Sequence, residues 1–561
     1  MTATEPGRPA AAGDPALSPA VAGVPPSSAW APFRHRLFAL MWGAQFVSNT
    51  GSWMQTVAAQ WLMLSLTTSA TYVALVQTAA SLPVVLFAVL AGTIGDLVDR
   101  RKFLLITQAI MLIAAAALGA LAIAGLITTW TLLALLFAVG TGQALTSPTW
   151  QTLQPELVSP DERPQAISLG AVNQNLARAV GPAIGGVILA ATDAGTVFLI
   201  NAITFAAVIG VIVMWHSSRP ASALPREHVG EAVRAGGRYV AASPVLRVIL
   251  GRAGLFIFFA SAIWALLPLT ARSALHLGSG GYGLLLAAVG VGALAGAGLL
   301  PRLRRRLAPG ALLTAGSLGM ALVALVLAYA HVTAVVAIAL AAGGACWILA
   351  LSTLNTLYQL SLPPWVKARG MSFYLVVFQG GSAVGSLAFG LAAQNIGLTP
   401  ALVVAAAGHA AGPLAGLRYR FQSIPPAQLM PASDWPAPNL AADTPPGGLV
   451  MVSVEYRARP GHEDDLLAAL NDARFSRRRT GASAWRAWQD GNKPSRILEQ
   501  FVVASWPDHL LQHARVTVRD KDRYEAIRAM TDPAHPTVVT HWLTPQPRHA
   551  DRDGSPPAVP R

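Results

Sequence analysis

Charge is scarce in this chain. Asp, Glu, Lys and Arg make up 12% of its 561 residues, about half the share usual in soluble domains, while hydrophobic residues make up 53%. That balance argues against a wholly soluble enzyme. Cysteine is nearly absent as well: Cys346 alone, in an apolar stretch, excludes an internal disulfide framework, a zinc cluster built on cysteine pairs and a CxxC redox motif. No Gly-Lys pair occurs, so there is no phosphate loop and no basis for an ATP-driven pump. Acidic residues are missing altogether between Glu231 and Asp434. Residues 1–32, rich in Ala and Pro and carrying Glu5 and Asp14, lack the basic start and apolar core of a signal peptide and read as a disordered cytoplasmic leader.

What is present is a series of apolar runs near the length a bilayer requires. They occupy about 37–66, 70–94, 103–124, 130–150, 165–190 and 196–215, then 248–270, 281–300, 310–330, 333–358, 371–393 and 399–417. The expected fold class is therefore an all-α polytopic membrane protein with twelve transmembrane helices. The net charge of +14 would suggest nucleic acid if it were spread evenly. Instead, with both termini inside, nineteen Lys/Arg fall in the cytoplasmic segments and one, Arg272, in the opposite loops. Basic residues resist transfer, so this asymmetry records membrane orientation and no nucleic-acid partner is expected.

The chain matches itself at a constant offset of 204 residues: Ala91-Gly92 falls on Ala295-Gly296, Arg100-Arg101-Lys102 on Arg304-Arg305-Arg306, Thr152-Leu153 on Thr356-Leu357, and Ala179-Val180-Gly181 on Ala383-Val384-Gly385. Two six-helix halves in the same orientation, 33–215 and 248–420, follow, joined by a cytoplasmic linker at 216–247. Parallel repeats of this kind belong to transporters that rock two bundles about a central site. The small-residue seam Gly181-Pro182-Ala183-Ile184-Gly185-Gly186 permits the close helix approach such motion needs.

The loop from Gly92 through Asp96 and Asp99 to Arg100-Arg101-Lys102 resembles the signature of the major facilitator superfamily, and Gly181, Pro182, Gly185 and Gly186 resemble the helix-five motif of its antiporters. Leu97 stands where the family carries arginine and Asp99 where it carries glycine. With Trp53-Met54-Gln55 and Gln60-Trp61-Leu62, the pattern is similar to the secretion-effector branch that contains enterobactin exporter-like proteins. The resemblance implies a multi-pass protein of the plasma (inner) membrane of a bacterium, a small amphipathic substrate such as a siderophore or drug, and a gate role for Asp96. Proton coupling is expected, with Asp96 and Glu156 the best-placed acids.

Candidate cavity residues are Gln45, Asn49 and Gln77 of the first two helices and Asn173, Asn175 and Arg178 of the fifth. Amides beside aromatic surfaces suit a hydrogen-bonding amphipathic ligand, and a charge inside the membrane must face a partner, water or ligand. Arg178 reads as an anion-attracting contact. Arg252, five residues from cytoplasmic Arg247, and His409 read as structural. No cofactor and no metal site are expected; the partners expected are the lipid bilayer, the small-molecule substrate and protons.

After a Pro-rich linker at 421–447 the periodicity changes. Strands at 449–456, 483–489, 496–504 and 537–542, with helices at 462–479 and 506–529, give a βαββαβ order and an α+β ferredoxin-like domain over 448–545, followed by a disordered tail at 546–561. It resembles small monooxygenase-like domains that pair their sheets, which implies possible self-association through this domain. His509 and His513 share a helix face without a third ligand. A membrane-anchored oxidoreductase and an importer are the alternatives; the repeat favours transport, since an anchor has no need of one.

Overall fold

A computed structural model of the chain describes residues 28–97, 99–215, 229–418, 425–432, 435, 438 and 448–544, with side chains described except at 88–97, 148, 152, 229–233, 368, 415–418 and 426. Residues 1–27, which hold most of the expected leader, the greater part of the Pro-rich linker and the tail lie outside this set.

The first half comprises α1 (Arg36–Leu66), α2 (Ala70–Leu97), α3 (Arg100–Ile123), α4 (Thr129–Leu153), α5 (Arg163–Ala191) and α6 (Ala194–Met214). A short helix α7 (Val229–Ala241) precedes the second half: α8 (Pro244–Leu269), α9 (Ser279–Arg306), α10 (Pro309–Tyr329), α11 (Thr333–Leu360), α12 (Lys367–Ile396) and α13 (Leu398–Arg418). The expected linker thus contains a helix, and α8 begins at Pro244, where proline suits a first helical position because its missing N–H would be unpaired there anyway. α13 runs through Pro413 without a break.

The 204-residue offset is visible in the architecture. α4, α5 and α6 begin at Thr129, Arg163 and Ala194; α11, α12 and α13 begin at Thr333, Lys367 and Leu398. The packing repeats too: α3 lies on α6 as α10 lies on α13, and α1 on α5 as α8 on α12. Between the halves α5 packs on α9 and α2 on α12, one contact and its repeat image.

Among the described residues, nine helices are long and apolar enough to cross a membrane. α1 and α5 are not in that set, and α13 supplies the shorter apolar run Leu398–Leu414. The reason in α1 and α5 is physical: they carry Gln45, Asn49, Gln55 and Gln60, and Asn173, Gln174, Asn175 and Arg178, respectively. Gln55, Gln60 and Asn173 among these are buried within the protein.

The C-terminal unit has β1 (Val450–Arg457), α14 (Glu463–Thr480), β2 (Ala484–Gln489), β3 (Arg496–Val503), α15 (Trp506–Ala514), α16 (Val518–Ala529) and β4 (Val538–Leu543). These strands form a small antiparallel sheet in the order β2-β3-β1-β4. The single helix expected over 506–529 is two. Thr517 accepts from the Asp520 backbone N–H while Asp520 reaches back to the Thr517 N–H, a capping box that starts α16 afresh. The described linker residues dock on this unit: Ala432 donates to the Val516 carbonyl at 2.9 Å, and the Trp435 indole donates to His513 Nδ1 at 3.1 Å. Arg515 stacks 4.4 Å from the Trp365 ring and Arg479 lies 5.9 Å from Tyr239 of α7, so the unit sits against the second half.

One charge pair is sealed in its core. Arg477 donates to both Glu499 oxygens at 3.1 Å, and Trp485 and Tyr456 donate to the same carboxylate at 2.8 and 3.0 Å. Burial alone would raise the Glu499 carboxyl; the adjacent guanidinium and these hydrogen bonds outweigh it and hold the group below the usual carboxylate range. Glu499→Gln leaves Arg477 buried and uncompensated, and its expected cost is about 3–5 kcal/mol, read as earlier proteolysis and thermal unfolding of the C-terminal unit. Nearby, His509 Nε2 lies 3.0 Å from His541 Nε2, a pair in which at least one ring must be neutral to accept. Burial, then His513 and His541, push His509 down to about 4. The folded state therefore binds fewer protons than an unfolded chain whose histidines titrate near ~6.5. The stability of this unit should fall as pH drops from the ordinary histidine range toward that of His509, and His509→Gln should flatten that slope in thermal melts.

Candidate functional site

The two halves enclose a cavity of about 460 Å³. From the first half it is lined by amides, Gln45, Asn49, Gln60, Gln77, Gln143 and Gln174 among them, together with Trp53 and Arg178. From the second half come Trp264, Trp347, Phe378, Gln379, Ser261 and Ser382. The repeat relates the two linings position by position: adding 204 to Gln60, Gln143 and Gln174 gives Trp264, Trp347 and Phe378, and adding it to Arg178 gives Ser382. Each of these three amides has an aromatic ring as its counterpart on the other side. Trp347 packs edge-on against both Trp264 and Phe378, at 5.4 and 6.2 Å between ring centroids, so the aromatic lining is one continuous surface.

Four of the expected cavity residues line it: Gln45, Asn49, Gln77 and Arg178. Asn173 and Asn175 do not. Successive helical residues are rotated by roughly 100°, so Gln174 and Arg178 share a face that their immediate neighbours leave. Asn173 is buried behind the lining, donating to the Trp42 carbonyl at 2.9 Å and accepting from Asn49 at 2.8 Å; Asn49 in turn accepts from Gln45 at 2.9 Å. Asn175, half-buried, donates to the Ala171 carbonyl of its own helix. Interhelical hydrogen bonds in membranes average about 0.6 kcal/mol, too little to dominate stability, so the Asn49–Asn173 bond chiefly orients Asn49 toward the cavity.

Arg178 is the one charged side chain among the described residues of the lining. Its guanidinium carbon lies 5.3 Å from the Trp53 ring centroid, and its buried Nε has no hydrogen-bond partner. Arg252 and His409 belong elsewhere, to a small groove between α8, α10 and α13, where His409 packs edge-on against Phe256 at 5.1 Å.

At the signature segment, α2 continues past the expected end to Leu97, so Gly92 and Asp96 lie in its last turns; their side chains are outside the described set. Asp99 caps α3, accepting from the backbone N–H groups of Arg101 and Lys102 at 2.9 and 3.2 Å. That accounts for an aspartate at this position. Arg100 pairs with Glu156 at 3.2 Å, and Arg101 donates to the Ile212 and Val213 carbonyls at the end of α6. Arg304, the repeat image of Arg100, donates to Ser352 and Thr356 of α11.

The helix-five motif packs closely on both neighbours. A Cβ on Gly181 would lie 2.6 Å from Trp53 Cβ, and one on Gly185 2.7 Å from Met54 Cα, both on α1; Pro182 is buried inside α5. Gly186 faces the other half: a Cβ there would meet Gly283 Cα at 2.8 Å, and one on Gly283 would meet Gly186 Cα at 2.7 Å. These backbones touch near the far ends of α5 and α9. On the other seam Gln394 accepts from the Ala70 N–H at 2.8 Å and the Ala383 carbonyl from Thr78 at 3.0 Å, while Tyr282 of α9 donates to Gln60. The halves thus close on each other at the end remote from the signature segment, and the cavity reaches back toward the opposite end as far as Gln45 and Gln151.

Two repeat-related halves of six helices in the same order around a central lined cavity define a transporter of the major facilitator type. The chain matches the family described as transmembrane secretion effector over residues 27–549, and it belongs to that family. Among its relatives are the staphyloferrin A transporter of Staphylococcus aureus, 32% identical over 169 residues, covering 29% of this chain and 41% of the relative. The enterobactin exporter of Citrobacter koseri is 29% identical over 239 residues, covering 42% of this chain and 56% of the relative. The chain thus spans about half the length of these relatives. In fold it is similar to the POT family transporter PepTSo, with a TM-score of 0.58 at 13% identity over 69% of this chain and 99% of that one. A bacterial homolog of the human lysosomal transporter Spinster gives 0.54 at 15% identity over 69% and 98%. The family and these relatives are transporters, not enzymes.

A large side chain at the glycine contact should pry the halves apart. Gly186→Leu is expected to abolish transport while the protein still reaches the membrane, since overpacking of this kind costs about 1–3 kcal/mol; transport activity and membrane abundance, measured together, check it.

Proposed function

We propose that the protein exports a small amphipathic compound, of the siderophore class named for its relatives, by alternating access between its two halves. The single observation that carries this reading is the two-sided cavity, amide-lined from one half and aromatic from the other. A ligand with hydrogen-bonding groups on one side and an aromatic or apolar body on the other satisfies both faces, whereas a compact ion or a sugar bound only through its hydroxyls would leave the rings of Trp264, Trp347 and Phe378 unused. In this reading α1–α6 and α8–α13 all cross the inner membrane, with both termini and the C-terminal unit in the cytoplasm. The backbone contact of Gly186 with Gly283 closes the outer end, and the signature segment around Asp96 locks the inner end in the alternate state. The C-terminal unit reads as a ferredoxin-like, monooxygenase-like domain that serves self-association, supported by an open sheet face carrying exposed Trp488 and Trp542.

The test is accumulation of siderophore and drug panels in cells with and without the protein. Lower accumulation with the protein supports export, higher accumulation supports import, and unchanged accumulation across the panel refutes both. Asp96→Asn should impair transport with insertion intact; wild-type rates in that variant would refute the gate role.

A further inference from the structure

The acids of the membrane part are all placed at helix ends. α1, α3–α6 and α8–α13 contain no Asp or Glu, and α2 contains Asp96 alone, next to its last residue. Glu156 lies beyond α4 and pairs with Arg100. The described lining of the cavity holds one charge, Arg178, against many neutral amides and rings. No carboxylate among the described residues pairs with Arg178, and its buried Nε points a donor at no protein acceptor.

We infer that the transported compound is an anion, and that its own charge, moving down the membrane potential, drives the cycle without a counter-transported proton. This rests on the exporter reading above. A group in the site that gains a proton on one side and loses it on the other is the most direct coupling of a carrier to protons; the described lining offers a permanently charged guanidinium in its place. A bound anion neutralises Arg178 and takes up its unused donor, with its aromatic or apolar body on Trp264, Trp347 and Phe378. Each turn then carries the ligand's negative charge outward, the direction an inside-negative membrane favours. For a monoanion the equilibrium ratio is about tenfold for every ~59 mV.

The probes are naphthalene-2-carboxylate and its neutral amide, with the full-length protein. Quenching of tryptophan fluorescence should show the carboxylate binding at least about tenfold tighter than the amide, which corresponds to ~1.4 kcal/mol. The preference should vanish in Arg178→Gln and return in Arg178→Lys. In proteoliposomes the carboxylate flux in excess of that into protein-free liposomes, which the neutral acid crosses unaided, should follow a potassium diffusion potential at equal pH on both sides, and no such excess should appear under a pH gradient at zero potential. Equal binding of the two probes, no binding of the carboxylate at millimolar concentration, a preference that survives Arg178→Gln, or protein-dependent flux that follows the pH gradient alone would each overturn the inference while leaving the exporter reading in place. That reading fails separately, on unchanged accumulation in cells.

Discussion

The structure depends on one backbone contact and its repeat-related counterpart: Gly186 of α5 lies against Gly283 of α9 with no room for a side chain, while Gly390 of α12 packs on Ala74 of α2. Lipid offers apolar side chains nothing they lack elsewhere, so helices inside a bilayer associate through close packing and hydrogen bonds, and small residues are what allow both. By holding the halves together at one end, these seams leave space at the other, and that space is the cavity. The same contact is small enough to part, which a seam of interlocked large side chains would not be.

Polarity follows from that geometry. An amide or a guanidinium inside a membrane must face protein, water or ligand, and the helices richest in such groups, α1 and α5, are those turned toward the centre. They are held in place by Asn173 to the Trp42 carbonyl and by Asn201 to Gln55 at 2.7 Å. At Trp264, Trp347 and Phe378 the second half answers with rings where the first half has Gln60, Gln143 and Gln174. A duplicated bundle has thus diverged into two different walls, and the difference between them sets what the cavity can hold.

Much of this was legible in the residues. The apolar runs marked the long helices to within a few residues, and the offset of 204 anticipated the starts of α11, α12 and α13 from those of α4, α5 and α6. Amides stood out in the first half because polar residues are conspicuous in apolar helices. Trp264, Trp347 and Phe378 did not, because an aromatic ring in such a helix looks the same whether it faces lipid, core or cavity; carrying the offset over from Gln60, Gln143 and Gln174 would have found them. Asn173 and Asn175 are near Arg178 in sequence, but the rotation per helical residue turns them to other faces. In the C-terminal unit the strands were readable from alternation, whereas the break between α15 and α16 turned on the capping pair Thr517 and Asp520 inside a continuous helical pattern.

Alternate exposure of one cavity to the two sides of the membrane is the claim on which the rest stands. It is tested most directly with Cys346 replaced by serine and a single thiol introduced as Ser382→Cys, in the cavity wall opposite Arg178's half. Membrane-impermeant thiol reagents are then applied to inside-out and right-side-out vesicles. Labelling from both sides, with protection by bound substrate in each case, is the expected result; labelling from one side alone under every condition would contradict it.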